Sequence, residues 1–99
     1  MVVRRDVGRV RLAELEPTWV GEAGRHGTGL ACNCPCGCDN GLYVPFANPL
    51  DGGLQVGPQG WQRTGDTFET LTLTPSIFRR GEGSCGWHGF IRAGEVVKA

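Results

Sequence analysis

The chain has 99 residues, with ten basic and ten acidic side chains and a formal net charge of zero at pH 7. A zero net charge argues against steering toward nucleic acid or an anionic membrane, so we expect another protein as the partner. The length suits a single domain of residues 1–99 with a thin core, because only 39% of the residues are apolar and seventeen are glycine.

A domain of this kind is expected to need a staple, which can be a disulfide or a metal ion. No apolar run is long enough to span a bilayer, and residues 1–5 are too short for a signal-peptide core. We therefore expect a cytoplasmic protein. In a reducing compartment clustered thiols are more often metal ligands than disulfides, and five cysteines cannot all pair.

Residues 1–30 are the less regular N-terminal part, in which we expect one strand and a loop. Imperfect alternation over residues 2–12 predicts the strand, and a short helix over residues 11–16 is an alternative that Pro17 would end. Four glycines between residues 21 and 29 predict a loop with a solvent-exposed His26.

The middle of the chain combines one strand with a long connection. Residues 41–47 read as a strand with Pro45 at an edge or at the strand end, since proline donates no ladder hydrogen bond. Residues 48–60 are a glycine- and proline-rich connection. Trp61, which follows it, is expected to pack in the core, as is Trp87.

The second half predicts the most regular strands. Turn-forming residues at 64–67 precede a clear alternation over residues 68–74, which places Leu71 and Leu73 toward the core. Another turn over residues 79–84 leads to a closing hairpin over residues 89–98, which reverses at Ala93–Gly94. The predicted fold class is mainly β, a small antiparallel β domain.

A split metal site is the clearest chemistry in the sequence. Four cysteines alternate with other residues in the first half, and a Cys-x-x-His pair follows far downstream: Cys32, Cys34, Cys36 and Cys38, then Cys85 and His88. Thiolates and imidazole are ligands for zinc and for iron–sulfur centres. Neither half has four well-placed ligands alone, so we expect both halves to hold one ion.

The candidate ligands outnumber the corners of a tetrahedron. We rank Cys36, Cys85 and His88 first, then Cys34 or Cys38, and Cys32 last. A fifth thiol is free, bridges a second ion or acts as a nucleophile. Zinc is the expected metal, and a structural site would supply much of the folding free energy.

Neither Ser76 nor the acidic residues of the sequence form a pattern that predicts catalysis. Ser76 follows Pro75, and a structural role at a strand end is the preferred interpretation, because the only base in view, His88, is assigned to the metal. The acidic residues show no paired spacing for acid–base chemistry. No catalytic residue is therefore assigned, and the interpretation leans away from an enzyme.

The segment Cys85-Gly86-Trp87-His88-Gly89 resembles the second half of a Rieske motif, Cys-Pro-x-His-Gly. Cys34-Pro35-Cys36-Gly37 occupies the place of the first half, with a cysteine where Rieske proteins have histidine. The resemblance implies a [2Fe–2S] cluster as the alternative cofactor. The ligand set favours a mononuclear zinc on a Rieske-like or zinc-ribbon-like scaffold.

A wider resemblance runs from residue 34 to the end of the chain. It rests on Cys-Pro-Cys-Gly-Cys at 34–38, Trp61, Leu-Thr-Pro-Ser at 73–76, Cys-x-x-His at 85–88 and Phe-Ile-Arg-x-Gly at 90–94. These motifs are similar to those of an uncharacterised family of small bacterial and phage proteins. Some members are encoded beside bacterial ubiquitin-like conjugation components, which implies an adaptor role.

The sequence therefore predicts a zinc-stapled β domain that works by binding a protein partner. The alternatives are a Rieske-like electron-transfer protein and, further behind, a metal-dependent hydrolase, which would need an open metal position for water.

Overall fold

The computed structural model describes residues 9–21, 24–38, 41–55, 60–79 and 85–99. Within them the protein is built from eight β-strands in two antiparallel sheets, so the mainly β prediction is confirmed. In chain order the strands are β1 (Arg9–Arg11), β2 (Thr18–Val20), β3 (Gly29–Asn33), β4 (Gly41–Pro45), β5 (Gln62–Thr64), β6 (Thr72–Phe78), β7 (His88–Arg92) and β8 (Glu95–Lys98). None of the described residues belongs to a helix long and apolar enough to cross a membrane.

The larger sheet has the strand order β1-β8-β7-β6-β5, and the smaller one has the order β2-β3-β4. A parallel bridge between Phe46, just after β4, and Trp61, just before β5, connects the two. Buried side chains from both sheets form one apolar cluster, which the 3-10 helix Leu12–Leu15 also joins through its two leucines. Its members are Leu12, Leu15, Leu30, Cys32, Cys34, Leu42, Val44, Phe46, Leu71, Leu73, Ile77, Trp87, Ile91 and Val96.

The N-terminal predictions are partly outside the described residues. Residues 2–8 of the expected first strand lie there, and the described end of it is β1, which pairs with β8. The short helix after it is the 3-10 helix, which ends at Glu16 in a left-handed conformation. His26 is exposed as expected. The predicted loop is shorter than expected, because Gly29 already belongs to β3, the central strand of the smaller sheet.

The prediction of a strand over residues 68–74 was wrong at its boundaries. A turn occupies its start, where the Thr67 and Thr70 hydroxyls lie 2.7 Å apart and the Thr70 N–H donates to the Thr67 carbonyl. Local side-chain hydrogen bonds of this kind compete with strand pairing. The strand begins at Thr72 and continues through Pro75 to Phe78, so the proline does not end it. Leu71 and Leu73 are buried as predicted.

A β-bulge interrupts the pairing of β6 with β7. Leu73 lies opposite Ile91, and Ile77 lies opposite Gly89, so four steps along β6 match two along β7. The two extra residues fall around the Thr74–Pro75 peptide bond, which is cis. Bulges of this kind turn side chains away from a regular ladder and are common beside active sites.

The predicted closing hairpin is confirmed. Strands β7 and β8 pair from Arg92–Glu95 outward, and the two loop residues Ala93 and Gly94 both have positive φ, as a two-residue hairpin turn requires. The loop also packs against the chain ahead of β6, because the Gly94 N–H donates to the Leu71 carbonyl at 2.9 Å.

We predict that Gly94→Ala destabilises the protein more than Gly52→Ala. Both glycines have nearly the same left-handed φ, +78° and +77°. A Cβ at Gly94 would lie 2.5 Å from the backbone oxygen of Glu69, whereas a Cβ at Gly52 meets no atom within 4 Å. The backbone conformation costs each variant about 1–2 kcal/mol, and overpacking adds about 1–3 kcal/mol at Gly94 alone. Urea denaturation of both variants measures the difference, and equal losses would contradict the packing.

Candidate metal centre and Ser–His pair

The first half of the candidate metal centre is a tight turn after β3. Cys34 is buried, and its carbonyl accepts a hydrogen bond from the Gly37 N–H at 3.0 Å. Gly37 has a φ of +94°, which only glycine adopts without strain. The turn brings the Cys38 N–H to 3.3 Å from the Cys36 sulfur. Backbone amides aimed at sulfur in this way stabilise thiolates.

Cys85 completes the cluster from the other sheet. The sulfur atoms of Cys34, Cys36, Cys38 and Cys85 all lie within 4.8 Å of one another. Cys34 Sγ is 3.4 Å from Cys36 Sγ and 3.5 Å from Cys85 Sγ. Metal–sulfur bonds of about 2.3 Å in a tetrahedron place the sulfur atoms about 3.8 Å apart. The four thiols therefore fit around a single metal ion.

The electrostatics of the cluster also suit a cation. Burial raises the pKa of Cys34 to about 12 and raises the pKa of Cys36 as well. Desolvation acts the same way on Cys85, but the Trp87 N–H and the Cys36, Cys34 and Cys38 thiols outweigh it and lower the pKa of Cys85 to about 7. The thiolate of Cys85 is thus stabilised by neighbouring N–H and S–H donors. A metal ion in the cluster would take the place of the S–H protons.

The predicted ligands are only partly brought together. The structure joins the cysteines of the first cluster to Cys85, as the split site required, but it does not place His88 in the group. Trp87 is buried and Gly86 has a positive φ, so the chain enters β7 with the His88 ring on the opposite side from the core. Cys32 also lies outside the group. It is buried in β3, where desolvation raises its pKa to about 11.

The His88 ring contacts Ser76 instead. His88 Nε2 lies 3.0 Å from Ser76 Oγ, across the boundary between β7 and β6. In the ladder, Phe78 is directly opposite His88, so Ser76 is the diagonal neighbour on the same face of the sheet. A serine hydroxyl within hydrogen-bond distance of an imidazole nitrogen is the arrangement of a nucleophile and its general base.

Neighbouring side chains fix both partners. The Trp61 indole N–H donates to the Ser76 carbonyl at 3.2 Å, and Ile77, the next residue, is buried in the core. The His88 ring packs beside the half-exposed Phe78 ring, with centroids 5.0 Å apart. No carboxylate among the described residues contacts the imidazole, so in that part of the chain the pair is a dyad.

From the sequence, His88 is the only base in view for Ser76, but the pair is rejected as a catalytic one, because each member has another interpretation. His88 stands in a Cys-x-x-His spacing that is typical of metal ligands, and Ser76 follows a proline. The bulge that makes Ser76 the diagonal neighbour of His88 cannot be read from hydropathy, since it changes the register only within one strand pair. One signal is available in the sequence: Ser76 and His88 lie on β6 and β7, two strands that follow one another along the chain.

Comparison with known proteins found one family. The model of the family described as "Bacterial ubiquitination-like system serine protease (BubE)" matches residues 7–99, which is most of the chain. The bacterial and ubiquitin-like context expected from the sequence is therefore confirmed, although the family match does not test the cysteine motifs. Searches of curated proteins and of solved structures found no match.

We predict that Cys34→Ala loses bound metal whereas Cys32→Ala retains it. The two cysteines are close in sequence and both buried, at 1% and 7% exposure, but only Cys34 has its sulfur in the cluster. Removing the ligand Cys34 lowers the affinity for the metal, whereas removing the Cys32 thiol only weakens packing in the core. Elemental analysis of each variant after gel filtration gives the metal content per chain. Equal metal content in the two variants would contradict the four-sulfur site.

Proposed function

The chain belongs to the BubE family of a bacterial ubiquitination-like system, and on that premise we propose that it is a serine hydrolase that cleaves an acyl bond in a protein of such a system. Ser76 is the nucleophile and His88 is the general base. The observation that carries the proposal is the 3.0 Å distance between His88 Nε2 and Ser76 Oγ. It assigns the family's described chemistry to two residues of this chain.

The reaction proceeds by acyl transfer to Ser76. The Ser76 oxygen attacks the substrate carbonyl while His88 Nε2 accepts the hydroxyl proton, and the same nitrogen then donates that proton to the leaving amine. Water hydrolyses the ester in the second half of the reaction, again with His88 as the base. The exposed position of the His88 side chain leaves room for a substrate chain above the sheet.

The Ser76 backbone N–H is the proposed oxyanion donor. Arg79 directs its own N–H to the Trp87 carbonyl, so alternate residues of β6 face β7 and the intervening ones face away. Ser76 is one of those facing away, which agrees with its carbonyl accepting from Trp61. Its N–H therefore points to the side of β6 on which β5 lies, two residues past Thr74, which pairs with the first residue of β5, Gln62. One such donor contributes about 2.7–4 kcal/mol to the transition state in other enzymes.

A structural zinc ion is the proposed occupant of the thiol cluster. Sulfur atoms that all lie within 4.8 Å of one another support a single ion, since two irons would spread four thiolates over a longer span. This weighs against the Rieske-like alternative, as does the contact of His88 with Ser76. Four protein thiols also fill a tetrahedral zinc, which leaves no position for the water that a metal-dependent hydrolase needs.

Two earlier expectations remain as proposals beside the hydrolase. Membership of a ubiquitination-like system supports a protein partner, which is the substrate here and would be the bound client if the protein were an adaptor without activity. A cytoplasmic location is supported by the clustering of four thiols, because clustered cysteines act as metal ligands in a reducing compartment.

We predict that a fluorophosphonate probe labels Ser76. The Ser76 oxygen attacks phosphorus and displaces fluoride, and His88 accepts the proton, so Ser76→Ala abolishes labelling and His88→Ala slows it by about 10²–10⁴-fold. Peptide mass spectrometry identifies the labelled residue. The chain has one other serine, Ser84, and Ser84→Ala is the matched control that should label at the wild-type rate. Label on Ser84, or no label at all, would favour the adaptor.

We predict that natively purified protein is colourless and contains zinc rather than iron. A zinc ion has no visible absorption, whereas an iron–sulfur centre is coloured. Chelation should lower the melting temperature, because metal affinity contributes to the free energy of unfolding. Elemental analysis and thermal melts with and without a chelator give both results. Bound iron, or a melt that chelation leaves unchanged, would contradict structural zinc.

A further inference from the structure

The candidate metal centre and the Ser–His pair share a short stretch of chain. Cys85 contributes its sulfur to the cluster, and His88, three residues later, begins β7. Three residues span at most about 10 Å, so the position of Cys85 limits where the strand can begin. Ser76 has no such link, because the nearest cysteine of the cluster in sequence is Cys85 itself, nine residues away.

The two members of the pair are therefore held by different means. Ser76 lies inside β6, between the buried Leu73 and Ile77, and its carbonyl is held by Trp61. The apolar core and the strand pairing keep it in place. His88 is the first residue of its strand and its side chain is exposed. First residues of strands fray most easily, because along the chain the strand continues on one side of them only. At His88 the backbone is held by a hydrogen bond from the Ala99 N–H to its carbonyl, at 2.9 Å, and the side chain by its contact with Ser76.

Little besides the cluster holds the chain just before β7. Cys85 and Gly86 are both exposed, and the Cys85 side chain interacts with the other thiols of the cluster and with the Trp87 N–H. Trp87 is the second anchor. It is buried, its carbonyl accepts from the Arg79 N–H at 2.7 Å, and its ring covers Gly89 so closely that a Cβ there would lie 2.5 Å from Trp87 Cζ2. His88 follows these two anchors directly.

We propose that Cys85 is a positioning residue for the Ser–His pair: bound in the metal centre, it holds the start of β7 so that the His88 ring stays within hydrogen-bond distance of Ser76. The proposal rests on the proposed hydrolase function and deepens it. The occupancy of the metal centre then sets the reactivity of Ser76, although the thiols take no part in acyl transfer. Loss of metal inactivates the protein by releasing His88 before the core, which surrounds Ser76, unfolds.

A pair of single substitutions separates this role from general loss of a ligand. Cys85→Ala and Cys36→Ala each remove one exposed thiol and leave three in the cluster. Both are compared at a Zn²⁺ concentration that gives equal metal content by elemental analysis. Cys36→Ala weakens the centre but leaves Cys85 anchored, so it slows fluorophosphonate labelling of Ser76 only modestly. Cys85→Ala releases the start of β7, and we expect a fall of about 100-fold, the cost of a misplaced catalytic group.

Two further measurements do not depend on activity. The His88 ring resonances in NMR spectra should shift and broaden in Cys85→Ala and stay close to wild type in Cys36→Ala. Cys85→His, which keeps a metal ligand at this position, should restore both the ring resonances and most of the labelling rate. It also keeps the comparison valid if Cys85→Ala fails to fold.

The outcomes are distinguishable. If Cys85→Ala and Cys36→Ala show the same labelling rate and the same His88 resonances at equal metal content, Cys85 has no positioning role, while Ser76 labelling in the wild type still supports the hydrolase. If the wild type does not label, the hydrolase is wrong. The NMR comparison then still decides whether Cys85 holds the His88 ring.

Discussion

The four-thiol cluster is the constraint on which the rest of the structure depends, because it joins the turn that follows a strand of the smaller sheet to the segment that leads into the larger sheet. Its first three sulfurs come from the turn after β3, and the fourth comes from the residue three before β7. Cys34 and Cys85 are 51 residues apart. Closing a loop of that length costs the unfolded chain about 4 kcal/mol of entropy. Burial of Cys34 in the core offsets part of that cost, and an ion held by the thiols would offset the remainder.

The second constraint is the bulge in β6, which decides what stands opposite β7. With a regular ladder, Leu73 opposite Ile91 would put Pro75 opposite Gly89 and Ser76 directly opposite His88. The two extra residues instead place Ile77 opposite Gly89 and Phe78 opposite His88, so Ser76 becomes the diagonal neighbour of His88 while Leu73 and Ile77 both stay buried. The burial of Leu73 and Ile77 thus fixes the geometry of the Ser76–His88 pair, because both apolar side chains must remain in the core.

Much of this fold could be predicted from patterns that act locally. Alternation placed Leu71 and Leu73 in the core, and Ala93–Gly94 marked the hairpin, because each signal is complete within a few residues. The strand start at Thr72 could not be predicted so well, since the hydrogen bonds of Thr67 and Thr70 depend on a turn that alternation does not describe. The prediction of a single domain over residues 1–99 stays a prediction.

The candidate site was likewise predictable only in part. The grouping of Cys34, Cys36 and Cys38 with Cys85 follows from ligand chemistry, which needs four soft donors around one ion. His88 was assigned to that ion by its spacing from Cys85, and spacing alone could not separate a ligand from a neighbour of a ligand. What separates them is Trp87: its indole is buried, so the residue after it must face outward. The sequence thus grouped the cysteines that lie together in the structure, but strand register decided which side chain His88 contacts.

The proposed function keeps metal binding and acyl transfer on separate atoms, while one stretch of backbone from Cys85 to His88 joins them. A cluster of four thiolates binds a soft ion tightly and leaves no coordination position for water. Such a cluster is therefore suited to stabilising the fold rather than to hydrolysis. A serine and an imidazole need an exposed face and a fixed distance. Because the dyad has no carboxylate to orient its ring among the described residues, that orientation must come from packing against Phe78 and from the anchored chain before β7. Under the proposed function, a structural ion near His88 would substitute for the third member of a triad.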